Sequence, residues 1–480
     1  MGVLFLILFA QINYIQVYGA TAIANNPANF RLIIQAYKVD RGAILARDLK
    51  TVLAGSRPTK GLLKYLRVYP DGPLYADITG YDSLVYGTSR LEASEDEFLA
   101  ARSSDLLPST IEDEILNRPK RGAAVVTTID PHLQQVAQQA LAGRPGGAVA
   151  LNPRTGEVLA MVSNPTYDPS QLSSHDPNAI KAAWKRLNAD PAKPLLSNAT
   201  DQIYPPGSTF KLIDTAAALE NGYTPSSRFP NPQALKLPQT TNLFHNFADS
   251  HCPGGSTITL ADALTVSCDV TFAELGLKLG ANVLFDQAKK FGFDTHVPFD
   301  IPWAEGRFPP PSFFPTRLPL LAYSAVGQAD VAASPMQMAL VASAVANGGV
   351  EMQPQLAREI RAPGGGVLRS FHPRVFGQPI SSQTAATMTT MMESVVQSGT
   401  GTPAQIPGVQ VAAKTGTAET PSGIPNVWFV AFAPGGNPRI AVAVVLLNGG
   451  GGGAGATGGT VAGPVAKTII EACLNDRTCP

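Results

Sequence analysis

The sequence predicts an α+β protein in which an antiparallel sheet is flanked by helices and a smaller mixed unit precedes it. Strand-like apolar runs come early, at 148–162, and return late, between 409 and 447. Between 205 and 348 the patterns are mostly helical. Strands from both ends of the segment can meet in one sheet and take the helices on its faces. A chain of 480 residues has room for two or three such units.

Composition narrows the class. Charged residues make up 15%, below the roughly 25% of ordinary soluble domains. The 36 basic and 36 acidic side chains balance, so no nucleic acid or other polyanion is implied as partner. The 44 glycines and 41 prolines are spread along the chain, which suits an extracellular enzyme with many ordered loops.

The elements follow in order. Residues 2–10 read GVLFLILFA, and weaker apolar character continues to Tyr18. Residues 1–20 therefore read as an uncleaved signal-anchor, with a single pass and the rest of the chain on the extracytoplasmic face of the cell membrane. The apolar stretch is short of the roughly 20 residues a span needs, and no Lys or Arg precedes it. That reading requires a lost or misassigned basic start; a buried helix is the alternative. No good cleavage site is present beyond a poor one around Ala20 to Ala22.

Residues 21–135 form a mixed segment of short strands and turns. It ends at Val125 to Asp130 and a helix from Pro131 to Leu141, with Asp130 as N-cap and Pro131 in the first helical position. The larger unit spans 140–480. It opens with two apolar runs, 148–152 and 157–162, joined by the hairpin signal Pro153-Arg-Thr-Gly156. Strands are expected at 409–413, 427–432 and 440–447, and a last helix from Gly463 to Leu474. The glycine-rich stretch 449–459 lacks the Lys-Ser/Thr of a phosphate loop and reads as a flexible connector.

Cys252, Cys268, Cys473 and Cys479 make an even set that an exported chain can oxidise. Cys252–Cys268 and Cys473–Cys479 are the pairings spacing suggests, and free buried thiols are the alternative. No Cys-x-x-Cys occurs and the six histidines are scattered, so neither a metal nor a cofactor is expected.

Three short motifs carry chemistry. Tyr204-Pro-Pro-Gly-Ser-Thr-Phe-Lys211 leads into a helix, which puts Ser208 near its start and Lys211 one turn on, on the same face. A serine hydroxyl needs a base within reach, and a desolvated neutral lysine can serve. The helix start offers backbone N–H groups to developing negative charge. Ser267-Cys268-Asp269 can turn two polar side chains into one cleft, although an ordinary helix break reads the same way. Lys414-Thr415-Gly416-Thr417 follows a strand, where a lysine suits a carboxylate and an edge backbone suits an extended peptide. Gly416 lets another chain come close. Each motif alone is weak. Their joint order is specific.

In that order the sequence resembles the penicillin-binding proteins and serine β-lactamases. Arg41-Gly42-x-Ile44, Arg67-Val-Tyr-Pro70, Gly80-Tyr81 and Gly87-Thr-Ser-Arg-Leu-Glu92 resemble the N-terminal pedestal motifs of the class B proteins, with Arg90 where glycine is commoner. Ala325-Val-Gly-Gln328, Ser334-Pro-Met-Gln-Met-Ala339 and Ala346-Asn-Gly-Gly349 resemble the stretch between their second and third motifs. The short pedestal and the cysteine contexts are most similar to the actinobacterial PbpA-type branch.

The resemblance implies a D,D-transpeptidase of septal or growth-zone wall synthesis. Ser208 would attack the penultimate D-Ala of a stem peptide, Lys211 would be its base, and Ser267 would relay a proton to the leaving amine. Lys414 and Thr415 would hold the donor or β-lactam carboxylate, and the N–H groups of Ser208 and Thr417 would form the oxyanion hole. Expected partners are peptidoglycan stem peptides or their lipid-linked precursor, β-lactams, the membrane, and division or elongation proteins including a glycosyltransferase. Asp269 departs from the usual asparagine; its charge would raise the pKa values of the two lysines. A serine β-lactamase, a β-lactam sensor or a silent division scaffold are the competing functions.

Overall fold

The structure, a computed structural model, describes residues 2–15, 34–247, 251–476 and 479. The remainder of the expected anchor (16–20), the Ala20 to Ala22 region and the start of the mixed segment (21–33) lie outside the described residues. Helix α1, Gly2–Tyr14, is apolar on every side, and Val3, Leu4, Phe5, Leu6 and Ile7 are each more than half exposed. Among the described residues no helix is long and apolar enough to cross a membrane.

Next come β1 (Ile44–Leu45), β2 (Val52–Pro58), β3 (Tyr65–Val68) and β4 (Ala124–Thr127). Helix α2, Pro131–Leu141, begins as expected, with the Asp130 carboxylate accepting from the Leu133 N–H. The expected hairpin is β5 (Gly146–Leu151) with β6 (Val158–Asn164). The helical middle holds α3 (Lys211–Glu220), α4 (Leu260–Val266), α5 (Asp269–Lys290), α6 (Leu318–Ser324) and α7 (Pro335–Ala346). Then follow β7 (Ala357–Arg361), β8 (Val367–Ser370), α8 (Ser382–Gln397), β9 (Ala412–Ala418), β10 (Asn426–Ala433), β11 (Ile440–Leu446) and α9 (Gly463–Asn475).

The main sheet has the order β9-β10-β11-β5-β6 and is antiparallel throughout. Strands from both ends of the segment do meet. Trp428, Val430 and Phe432 face one core with α7, while Val427, Phe429 and Ala431 face another with α9. Burial on both faces explains continuous apolar runs where a half-exposed strand would alternate. Both disulfides close, Cys252–Cys268 and Cys473–Cys479.

Four expectations change. The stretch 205–348 is not helical throughout: Arg228–Pro230, Ala234–Lys236, Leu243–His245 and Thr257–Thr259 form two small strand pairs. Residues 291–317 contain only one short 3-10 turn, Pro311–Phe313, because closely spaced prolines interrupt a helix. The strand expected at 409–413 begins at Ala412 and carries the Lys-Thr-Gly-Thr motif itself. The stretch 449–459 is not a loose connector: it folds into short turns, and Gly458 packs against the backbone of Gly416 and Trp428 where no Cβ would fit. The second sheet, order β8-β7-β4-β1-β2-β3, also takes two strands from after residue 350.

The pedestal-like motifs converge on one buried carboxylate. Glu92 accepts from Arg41 Nε at 2.6 Å, from Arg67 Nε at 2.6 Å and from the Tyr69 hydroxyl at 3.1 Å. Burial alone would raise the Glu92 pKa; the two guanidiniums outweigh it and the pKa is lowered. Arg90 has φ +52, the left-handed region glycine favours, and its side chain pairs with Asp201 and donates to Pro302 O at 3.2 Å. That contact ties the N-terminal segment to the larger unit.

Candidate active site

Ser208 sits in a single 3-10 turn, Gly207–Phe210, that runs directly into α3. Gly207 has φ +53 and donates its N–H to Gly327 O at 2.9 Å. A Cβ on Gly207 would meet Thr417 O at 2.9 Å, so the turn lies flat against β9. Trp428 Nε1 donates to Pro205 O at 2.9 Å and fixes the approach to the turn. The serine is thus pinned between the edge strand and the helix it starts.

Ser267 ends α4 with φ +61, and Cys268 and Asp269 lead straight into α5. The Cys252–Cys268 disulfide ties this sharp bend to the preceding loop. Asp269 Oδ2 accepts the Phe247 N–H at 3.0 Å, while Oδ1 accepts Lys211 Nζ at 2.6 Å and the Ser208 hydroxyl at 3.4 Å. Lys211 Nζ also donates to Ser267 O at 2.8 Å and lies 3.4 Å from Ser267 Oγ. On the far side, Lys414 Nζ donates to Ser267 Oγ at 2.7 Å and to Thr415 O at 3.0 Å. Ser267 thus stands between two lysines, and Asp269 between a lysine and Ser208.

Both lysines are fully buried. Burial pushes the Lys211 pKa below its ordinary 10.5, and the Asp269 carboxylate only partly restores it. Burial first, and then the charge of Lys211, push Lys414 well below 10.5. The Asp269 charge pulls both lysines upward, as expected from the sequence, but desolvation outweighs it and both end below 10.5.

A cavity of about 280 Å³ opens over Ser208, lined by Ser267, Thr415, Thr417 and Phe247. Lys414 does not line it but lies behind Ser267, so its ammonium is not presented to a ligand as the motif suggested. Gly416 does permit a close approach: a Cβ there would meet Pro206 O at 2.7 Å. Thr400, Thr457 and Gly459 complete the wall and were missed in the sequence. Thr400 Oγ1 lies 2.7 Å from Thr415 Oγ1, so the run Gly399-Thr-Gly-Thr402 was the available signal. Among the described residues no cluster of His, Cys, Asp and Glu could hold a metal ion.

Comparison with known proteins agrees with this arrangement. Residues 146–471 match the penicillin binding protein transpeptidase domain, and 41–125 match the penicillin binding protein A dimerisation domain. The peptidoglycan D,D-transpeptidase PbpA of Mycolicibacterium smegmatis is 39% identical over 487 residues, which cover 99% of this chain and 97% of that protein. Penicillin-binding protein A from M. tuberculosis, in its imipenem acyl-enzyme complex, superposes with a TM-score of 0.86 at 38% identity over 92% of this chain and 100% of that one. The D,D-transpeptidase domain of a peptidoglycan glycosyltransferase from Eggerthella lenta superposes with a TM-score of 0.79 at 31% identity, over 91% of this chain and 98% of that one. With the transpeptidase domain matched over 146–471 and a relative 39% identical over nearly the full length, the chain belongs to the penicillin-binding protein transpeptidase family.

Proposed function

We propose that this protein is a peptidoglycan D,D-transpeptidase working through an ester at Ser208, in septal or growth-zone wall synthesis. The observation that carries the reading is the Ser208–Asp269–Lys211–Ser267–Lys414 chain of contacts beside an open edge strand. Ser208 Oγ attacks the penultimate D-Ala carbonyl of the donor, and its proton passes to the Lys211 amine. The oxyanion lies toward the N–H groups of Ser208 and Thr417; the close packing of Gly207 on the Thr417 carbonyl, which sets the turn against β9, supports that reading. The tetrahedral centre collapses by breaking the C–N bond, and Ser267, bridging the two lysines, hands a proton to the departing D-Ala amine as it takes the one held on Lys211, which leaves both groups as they began. An amine of a second stem peptide then attacks the ester and regenerates the Ser208 hydroxyl.

Thr415 and Thr417 line the cavity and hold the donor carboxylate, with Lys414 supporting them through Ser267. β-Lactams present the same carboxylate and acyl centre and acylate Ser208. The N-terminal unit, 21–135, serves as a pedestal and 140–480 as the catalytic unit. Residues 1–20 hold the protein to the cell membrane, with the catalytic unit on the extracytoplasmic side beside division or elongation proteins. The exposed apolar surface of α1 and the two disulfides support that placement. A direct test supplies the protein with stem pentapeptide and a free-amine acceptor. Equal amounts of D-Ala and cross-linked dimer are expected; neither product from the parent, or both from Ser208→Ala, contradicts the reading.

A further inference from the structure

A second cavity, of about 570 Å³, is lined by Asp269, whose carboxylate accepts the hydroxyl of Ser208 in the first. Its floor is apolar, with Leu243, Leu320 and Val326 beside the edge-to-face pair of Phe244 and Tyr323, whose ring centroids lie 5.0 Å apart. Among the described residues its charged groups are Asp269, already bonded to Lys211, and Glu419 at the lip; no described Lys or Arg lines it, and the other titratable groups are His245 and Tyr323. Glu419 is exposed and follows β9 directly. Thr415 and Thr417 of that strand line the first cavity, so one edge runs from the first cavity to the second. Side chains two apart share a face of a strand, and four residues span about 13 Å.

On the functional reading above, a donor peptide added along this edge places its terminal D-Ala at Thr415 and its scissile carbonyl at Ser208. The residue before the two D-Ala units then falls at the second cavity. The geometry points to a donor subsite there for a diamino-acid side chain: the apolar floor takes its alkyl stem, and Glu419 meets its free ammonium. Charge complementarity selects this occupant, since an acidic lip with no Lys or Arg among its described neighbours disfavours a carboxylate-tipped side chain and gains nothing from a capped one.

The test uses two donors that differ only in that amine, acyl-Lys-D-Ala-D-Ala and its Nε-acetyl form, competing against a fluorescent penicillin for Ser208. The parent should need about fivefold less of the free-amine donor for half-protection, the size of one partly exposed ion pair. In Glu419→Gln the two donors should become equivalent, and in Glu419→Lys the order should reverse. The ratio is taken within each variant, so a general loss of acylation cancels. Equal protection by both donors in the parent, protection by neither, or a preference that survives Glu419→Gln overturns the subsite. Failure of the fluorescent penicillin to label Ser208 would instead overturn the transpeptidase reading.

Discussion

Asp269 Oδ1 accepts from both Ser208 and Lys211, so this carboxylate sets the protonation of the nucleophile's base. As a base Lys211 must be neutral, and burial has already lowered its pKa from 10.5. Acylation should therefore rise with pH through a value below 10.5 and level off above it. Asp269→Asn removes the charge that favours the ammonium, so the rise should move to lower pH while most of the plateau rate remains. A fall of about a hundredfold or more with an unmoved midpoint would make Asp269 the proton acceptor instead. Lys211→Ala should slow acylation by roughly 10²–10⁴-fold, read as the rate of penicillin labelling. The three motifs were legible because each is short and contiguous. Thr457 and Gly459 were not, because only the packing of the turn after β11 against β9 brings them to the cleft, and Thr400 reaches it from the turn after α8 through its contact with Thr415.

The bend between α4 and α5 presents both Ser267 and Asp269, and the Cys252–Cys268 disulfide braces it. Replacing both cysteines by serine should lower stability by about 3 kcal/mol, the chain-entropy cost of a loop of this length. Urea unfolding without reductant, which leaves Cys473–Cys479 closed in both proteins, measures it: the double variant should unfold at lower urea than the parent by that amount. Gly416→Ala would bring a methyl to 2.7 Å from Pro206 O and 2.9 Å from Thr209 Cγ2. It should slow penicillin acylation while leaving far-ultraviolet circular dichroism intact. The main-sheet strands were readable because burial on both faces makes them unbroken apolar runs. β7 and β8 were not: Ala357-Arg-Glu-Ile-Arg361 carries three charges, and β8 is largely exposed.

At the scale of the whole molecule, the second sheet draws strands from both segments and Arg90 spans between them. Arg90→Ala should cost about 3 kcal/mol by leaving Asp201 without its partner in a partly buried setting. Arg90→Gly should cost about 1 kcal/mol less, since glycine relieves the left-handed backbone; thermal unfolding of the two variants compares them. The order of motifs along the chain revealed the architecture, but the shared sheet could not be read, because β4–β7 pairing joins residues more than 200 apart. The central claim is that this fold exists to acylate Ser208. Its most direct measurement is intact-protein and peptide mass spectrometry after incubation with penicillin G. One penicilloyl adduct on the Ser208 peptide, absent from Ser208→Ala, is the expected result. No adduct on the folded parent, or an adduct that persists in Ser208→Ala, would contradict it.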